Sequence, residues 1–129
     1  RQALDFGATR IGHGVRSLED EALVRRLAQE GTTLELCPTS NLNTAIFESM
    51  DHNPLRQYLD AGVNVTINTD NTSVSNTSIQ NEFQKLEETF ALSEMEIKDL
   101  LMNAAEASFT DEDTKKTLKD QIQTFFALE

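Results

Sequence analysis

The sequence predicts an α/β fold with parallel strands, and two observations support this prediction. Short runs rich in β-branched and apolar residues alternate with segments whose apolar residues recur at helical spacing. Turn-forming glycine, proline or asparagine separates successive segments. Since strands separated by helices pair in parallel through right-handed crossovers, we expect the order β-α-β-α-β-α-α-α.

The first βα unit begins with a short strand over residues 9–11, which runs into Gly12-His13-Gly14. A helix follows because Leu and Ala recur at helical spacing up to Gly31. Ser17 is its predicted N-cap, with an acidic residue three positions further on.

The second strand is predicted over residues 32–37, and Pro38 ends it because proline cannot donate to a sheet ladder. Residues 39–53 are polar and rich in asparagine, so we expect a loop that includes His52 as an ordinary surface histidine. A short helix then begins at Pro54 and ends near Gly62.

The third strand is predicted over residues 63–68, which are rich in β-branched side chains, and it runs directly into Asp70. A loop follows, and the remainder is helical. Three helix starts are predicted from capping residues: Thr77 with Gln80, Ser93 with Glu96, and Thr110 or Asp111.

Three βα units make a poor sheet by themselves, because parallel sheets have both faces covered or close into barrels. A (β/α)8 barrel takes about 250 residues, whereas this chain has 129. We therefore expect the last part of such a barrel, followed by C-terminal helices. The chain begins at Arg1 without a methionine, and we expect it to be a piece of a longer protein.

The chain carries a formal net charge of −11. An acidic surface repels phosphate backbones and anionic lipids, so neither nucleic acid nor a membrane is an expected partner. The single cysteine, Cys37, allows no internal disulfide and no cysteine-cluster zinc site. We therefore expect a reducing, cytoplasmic location.

Polar side chains collect where the predicted strands end, which in parallel α/β folds is where functional groups lie. His13 follows the first strand, residues 37–41 follow the second, and Asp70-Asn71 follows the third. Imidazole, hydroxyl, amide and carboxylate groups are therefore expected to converge on one rim of the sheet.

Each rim residue has two interpretations. His13 is either a base near neutral pH or a turn histidine bonded to backbone. Asp70 either meets a cation, a metal or donors, or forms an Asx turn with its own backbone. Asn71 and Asn41 either donate to a ligand or are ordinary loop residues. Cys37 is either a nucleophile or a small buried apolar residue, and we expect the buried residue.

Four segments combine the predicted strand ends with a later helix: Arg10–Val15, Leu36–Asn41, Asn68–Asp70 and Asn103–Phe109. In this order they resemble the adenosine deaminase family of the metal-dependent hydrolase superfamily. They correspond to the family's strands six, seven and eight and to a later helix, so the resemblance implies the carboxyl-terminal part of a TIM-type barrel. On this basis residues 1–129 are the C-terminal part of one catalytic barrel, whose N-terminal part is absent.

The resemblance implies a role for three residues. His13 orients or deprotonates the attacking water, and Asp70 is the zinc ligand of strand eight. Asn71 occupies a position where the family usually has an aspartate that contacts purine N7. N7 of a neutral purine is an acceptor, so the amide NH2 of Asn71 is a suitable donor, and we expect Asn71 to bind substrate.

The resemblance further implies that the complete enzyme uses zinc to hydrolyse adenosine or deoxyadenosine to inosine or deoxyinosine and ammonia. The family's remaining zinc-binding histidines and its glutamate proton donor lie upstream of strand six, so this piece is expected to be inactive alone. Adenine or a modified adenine nucleoside is the alternative substrate, and a non-catalytic barrel module that binds ligand is a second alternative. The expected partners are a purine nucleoside and either the missing N-terminal part or further copies of the chain.

Overall fold

The sheet contains three parallel strands in the order in which they occur along the chain. The computed structural model describes residues 1–128, and its strands are β1 (Arg10–Gly12), β2 (Thr33–Leu36) and β3 (Val65–Ile67). The strands are paired β1 to β2 and β2 to β3. The predicted parallel pairing and strand order are confirmed.

Within residues 1–128 there are eight α-helices, of which the first precedes β1 and the others connect or follow the strands, and 3-10 turns cover Val15–Glu19 and Met50–His52. None of the helices in this range has the length and apolar character required to cross a bilayer. The helices are α1 (Gln2–Asp5), α2 (Glu21–Glu30), α3 (Pro38–Asn43), α4 (Leu55–Asp60), α5 (Thr72–Ser75), α6 (Ile79–Phe90), α7 (Glu94–Ala107) and α8 (Glu112–Phe126).

The core lies between the sheet and the helices that pack on it. Leu34, Leu36 and Val65 of the strands are completely buried. They belong to one apolar cluster with residues of α2, α4, α6 and α7, which include Leu27, Leu55, Tyr58, Leu86 and Leu100. Burial of this cluster anchors the strands from which the polar rim residues extend.

The first long helix begins later than predicted. Gly14 adopts a left-handed conformation, and the chain then makes the 3-10 turn Val15–Glu19 before α2. Asp20, rather than Ser17, is the N-cap of α2, and its carboxylate accepts the Leu23 N–H at 3.2 Å. The Ser17 hydroxyl contacts the Tyr58 hydroxyl instead.

Two further expectations about local structure were wrong. The segment predicted as a loop after β2 contains α3, because Pro38 both ends the strand and occupies the first position of a helix. The N-cap of α6 is Ser78, whose hydroxyl accepts the Asn81 N–H, and not Thr77. Thr77 instead donates its hydroxyl to the buried carboxylate of Glu82.

The C-terminal helices have the predicted caps. Ser93 and Glu96 form a complete capping box at α7, and Asp111 caps α8 by accepting the Thr114 N–H at 2.8 Å. The Asn103 side chain of α7 donates to the Val65 carbonyl at 3.2 Å, which fixes this helix against β3. Local capping patterns were therefore sufficient to predict these helix starts.

An ion pair between Arg56 and Glu96 joins α4 to the first turn of α7. The hydrogen bond from Arg56, with further bonds from Ser93, lowers the pKa of Glu96 to about 2. A carboxyl whose pKa is lower in the folded state stabilises the protein above its unfolded pKa and loses that effect as the pH falls through the folded pKa.

We predict that Glu96→Gln keeps the capping box and lowers the free energy of unfolding by up to about 1 kcal/mol near pH 7. The difference from the wild type should shrink as the pH falls from about 5 towards 2, because both proteins then carry an uncharged side chain. Urea unfolding across this pH range measures it, with Glu94→Gln on the same turn as the control. A difference that stays constant with pH would contradict the assignment.

Candidate active site

The carboxyl ends of the three strands meet around one open cavity of about 650 Å³. Its wall includes His13 after β1, Ser40 and Asn41 after β2, and Asp70 after β3. His13 Nε2 lies 3.8 Å from Asp70 Oδ2, and each of the two side chains is 44% exposed. The structure therefore brings together the histidine and the aspartate that the sequence predicted at this rim.

A sharp turn after β1 directs His13 into the cavity. Its backbone N–H donates to the Glu35 carbonyl of β2 at 2.9 Å, and both His13 and Gly14 have positive φ, 58° and 69°. The single hydrogen of the buried Tyr58 hydroxyl is shared between the carbonyls of Gly14 and Val15, whose oxygens lie 3.1 and 3.0 Å from the hydroxyl oxygen. Two successive residues in the left-handed conformation reverse the chain here, and the hydrogen bonds from Tyr58 hold them in place.

The side chain of Asn41 fixes the orientation of the His13 imidazole. Asn41 Oδ1 lies 2.7 Å from His13 Nδ1. Because an amide oxygen can only accept, this contact assigns the proton to Nδ1 and leaves a lone pair on Nε2 of the neutral ring. Nε2, which faces Asp70, is thus the nitrogen available to accept a proton. The structure therefore does not support the second interpretation of His13, because its ring bonds to a side chain and not to the backbone.

Asp70 also follows its strand in a left-handed conformation, with φ of 56°. Its Oδ2 accepts a hydrogen bond from Ser40 Oγ at 2.7 Å, which turns the carboxylate towards the cavity. The side chain in this segment that bonds to nearby backbone is the next one, because Asn71 Oδ1 accepts the Val74 N–H at 3.0 Å and caps α5.

Asn71 directly follows Asp70 but differs from the other predicted site residues in its contacts. It is exposed, and the cavity wall formed by residues 1–128 includes Asp70 but not Asn71. Its oxygen accepts the Val74 N–H of α5, so the NH2 group is the part of the side chain that can donate to a ligand. The structure therefore gives Asn71 a capping role and leaves a donor at the edge of the site.

Cys37 is buried, as expected, and its thiol donates to the Glu35 carbonyl at 3.6 Å. Burial, together with the negative charge of Asp70, raises the pKa of Cys37 to about 11. The thiol is therefore protonated near neutral pH and unsuited to act as a nucleophile.

The donor set at the rim fits a zinc ion in part. One ligand atom each from His13, Cys37 and Asp70 lies within 4.8 Å of the others, so the three can face a single ion. Imidazole nitrogen, thiolate sulfur and carboxylate oxygen are all zinc ligands, and catalytic zinc usually has three protein ligands. Asp70 lies in the wall of the open cavity, whereas Cys37 is buried and is not part of that wall within residues 1–128.

The sequence placed Ser40 and Asn41 at the rim but did not assign their partners. Both lie on α3, which was not predicted, and it is the helix that directs their side chains to Asp70 and His13. A proline directly after an apolar strand, followed by small polar residues, was the available signal for this short helix.

Three parallel strands connected by helices, with polar side chains at their carboxyl ends, define part of a (β/α)8 barrel, which is followed here by C-terminal helices. A sequence model described as adenosine deaminase matches residues 1–125. The chain belongs to the adenosine deaminase family.

Individual relatives show the same similarity over part of their length. The chain is 48% identical, over 95% of its length, to an adenosine deaminase of Haemophilus ducreyi, and 46% identical, over 85%, to an adenine deaminase of Rhizobium leguminosarum bv. trifolii. It spans only 36% and 34% of these two proteins. The crystal structure of an adenine deaminase from Arthrobacter aurescens superposes with a TM-score of 0.93 at 30% identity, over 98% of this chain and 39% of that one.

Gly14 is predicted to be the glycine of this site that tolerates substitution least. A Cβ at this position would lie 2.8 Å from Cδ2 of the completely buried Leu34, in a backbone with φ of 69°. Gly62 has a similar φ of 72° and no atom within 4 Å of the added Cβ, which makes it a matched control. We expect Gly14→Ala to cost about 1–3 kcal/mol more in free energy of unfolding than Gly62→Ala.

Urea unfolding of both variants measures this difference. Equal costs would show that Leu34 moves aside and that the turn after β1 is not held by the core.

Proposed function

We propose that the protein containing this chain catalyses the zinc-dependent hydrolytic deamination of adenosine or deoxyadenosine. Water adds at C6 of the purine, the C6–N bond breaks, and inosine or deoxyinosine and ammonia are released. The observation that carries this proposal is the approach of His13 Nε2 to the Asp70 carboxylate, 3.8 Å apart in the cavity wall. Membership of the adenosine deaminase family supports the reaction class.

Asp70 would hold the zinc ion, together with ligands from outside this chain. Zinc, when bound, is the Lewis acid that makes water acidic enough to attack near neutral pH. Ser40 orients the Asp70 carboxylate for this task through its 2.7 Å hydrogen bond.

His13 would act as the base for the attacking water. Its Nδ1–H is engaged by Asn41, so Nε2 carries the lone pair that accepts the proton. The imidazolium that results stays bonded to Asn41 and lies beside the negative charge of Asp70, and both contacts stabilise it.

The chain would supply the C-terminal part of a single catalytic barrel. We assign Asp70 as the zinc ligand that this chain supplies, and because catalytic zinc usually has three protein ligands, we propose that this piece is inactive alone. β1 and β3 each pair with one neighbour in the described sheet, and these strand edges would associate with the N-terminal part of the barrel or with copies of the chain. A cytoplasmic location is proposed because the single cysteine is a buried, free thiol.

Adenine is the second candidate substrate. The similarity to an adenine deaminase, at 46% identity over 85% of the chain, favours it to nearly the same degree as adenosine. Ammonia release from adenine, adenosine and deoxyadenosine by one preparation of the complete protein distinguishes the two. A higher kcat/KM for adenine would replace the first candidate by the second.

We predict that His13→Ala in the complete protein lowers kcat by about 100-fold or more, because it removes the base. The exposed His52, whose ring contacts the Ser49 hydroxyl, provides the matched control, and His52→Ala should leave kcat unchanged. Ammonia release under saturating substrate measures both. Near-normal turnover of the His13 variant would remove this residue from the mechanism.

We also propose that the Asn71 NH2 group donates to purine N7. Asn71→Ser keeps an oxygen that can cap α5 but removes the donor, so it separates binding from local structure. We expect kcat/KM to fall by about 10-fold, the effect of one lost hydrogen bond, at an unchanged melting temperature. An unchanged kcat/KM would restrict Asn71 to its capping role.

A further inference from the structure

Glu82 is a completely buried carboxylate on α6, outside the wall of the cavity. Both of its oxygens have partners: Oε2 accepts the backbone N–H of Thr39 at 2.9 Å, and Oε1 accepts the Thr77 hydroxyl hydrogen. Burying a carboxylate is costly even when it is paired, and an apolar residue often stabilises a core at least as well. Its presence here therefore calls for a reason other than packing.

The first turn of α3 needs the acceptor that Glu82 provides. The first N–H groups of any helix have no partner within the helix, and an N-cap side chain usually accepts one of them. The N-cap of α3 is Cys37, which makes no side-chain hydrogen bond to the helix. Glu82 supplies an acceptor for Thr39 from a neighbouring helix instead.

A second contact from α6 reinforces the first. Lys85, three residues after Glu82, donates to Thr39 Oγ1 at 2.8 Å. Thr39 is thus held by its backbone and by its side chain. The next two residues are Ser40 and Asn41, whose side chains bond to Asp70 and His13.

We propose that Glu82 is a positioning residue, which fixes the first turn of α3 and thereby orients His13 and Asp70 together. The hydrogen bonds of Ser40 and Asn41, both 2.7 Å long, depend on the placement of one short helix. Functional groups have to be held to within about 0.5 Å of their working geometry. Release of Thr39 therefore loosens both groups at once. The kinetic consequence rests on the proposed deaminase function, whereas the orientation of His13 does not.

Two substitutions at Glu82 separate hydrogen bonding from volume. In Glu82→Gln the amide oxygen still accepts the Thr39 N–H, and the NH2 group donates to the Thr77 hydroxyl, which rotates to accept it. This variant should keep kcat close to that of the wild type. Glu82→Leu fills the space but accepts nothing, and we expect kcat to fall by about 10- to 100-fold with little change in KM, since the displaced groups act on water.

Leu86→Ala is the matched control, because Leu86 lies on the same helix and is completely buried in the apolar cluster. It should lower the melting temperature of the complete protein and leave kcat unchanged below that temperature. Lys85→Met removes the second contact to Thr39 and should lower kcat with KM unchanged. If Glu82→Leu does not fold, Lys85→Met tests whether loosening Thr39 lowers kcat.

Nitrogen NMR of labelled histidine gives a readout that requires no activity. His13 should carry its proton on Nδ1 in the wild type and in Glu82→Gln, and should lose this single form in Glu82→Leu or Lys85→Met. If the wild type deaminates neither adenosine nor adenine, the proposed function fails while the NMR result still tests the position of His13. Unchanged kcat and an unchanged His13 signal in Glu82→Leu or Lys85→Met would overturn the proposal.

Discussion

The site depends on two hydrogen bonds to adjacent residues of α3: His13 Nδ1–H donates to Asn41 Oδ1, and Ser40 Oγ donates to Asp70 Oδ2. His13 and Asp70 follow β1 and β3, which do not pair with each other because β2 lies between them. Since α3 begins directly after β2, it occupies the position from which adjacent residues reach both neighbours. Without these bonds, neither side chain has a fixed direction towards the other.

The backbone at the rim is strained, and the core beneath it holds the strain in place. His13 and Asp70 both have positive φ, a conformation that costs on the order of 1–3 kcal/mol for a residue with a side chain. Packing of the buried strand residues and the hydrogen bond from Tyr58 hold the turn after β1 in this conformation. After β3, Ser40 donates a hydrogen bond to the Asp70 carboxylate. Strain at two residues that face one cavity is the pattern expected of a functional site.

The sequence predicted those parts of the structure that depend on local patterns. The third strand follows from its β-branched residues, and the first two follow from short runs with apolar residues that end at Gly12 and Pro38. The α7 start follows from Ser93 and Glu96, which lie three residues apart. The position of His13 and Asp70 followed from one rule, that functional groups lie at the carboxyl ends of parallel strands. Family resemblance, not geometry, was needed to assign their roles.

The parts that were missed depend on contacts between distant segments. Serine is a common N-cap residue, which is why Ser17 was predicted to cap the helix. The left-handed Gly14, which packs on Leu34, begins a 3-10 turn instead, and the α-helix is capped by Asp20. Threonine is also a common N-cap residue, but the Thr77 hydroxyl donates to Glu82 instead of capping α6.

α3 was predicted as a loop because the acceptor for an N–H group of its first turn comes from α6, which is distant in sequence. Asn71 was predicted from the resemblance to contact substrate, and its capping of α5 became visible only in the structure.

The most direct test of this account is a crystal structure of the complete protein with zinc located by anomalous scattering. We predict a zinc ion about 2.0–2.2 Å from a carboxylate oxygen of Asp70. His13 should be bonded to Asn41 through Nδ1 and should face the ligand position through Nε2. Zinc bound without Asp70, or a His13 ring that is turned away from Asn41, would contradict the account.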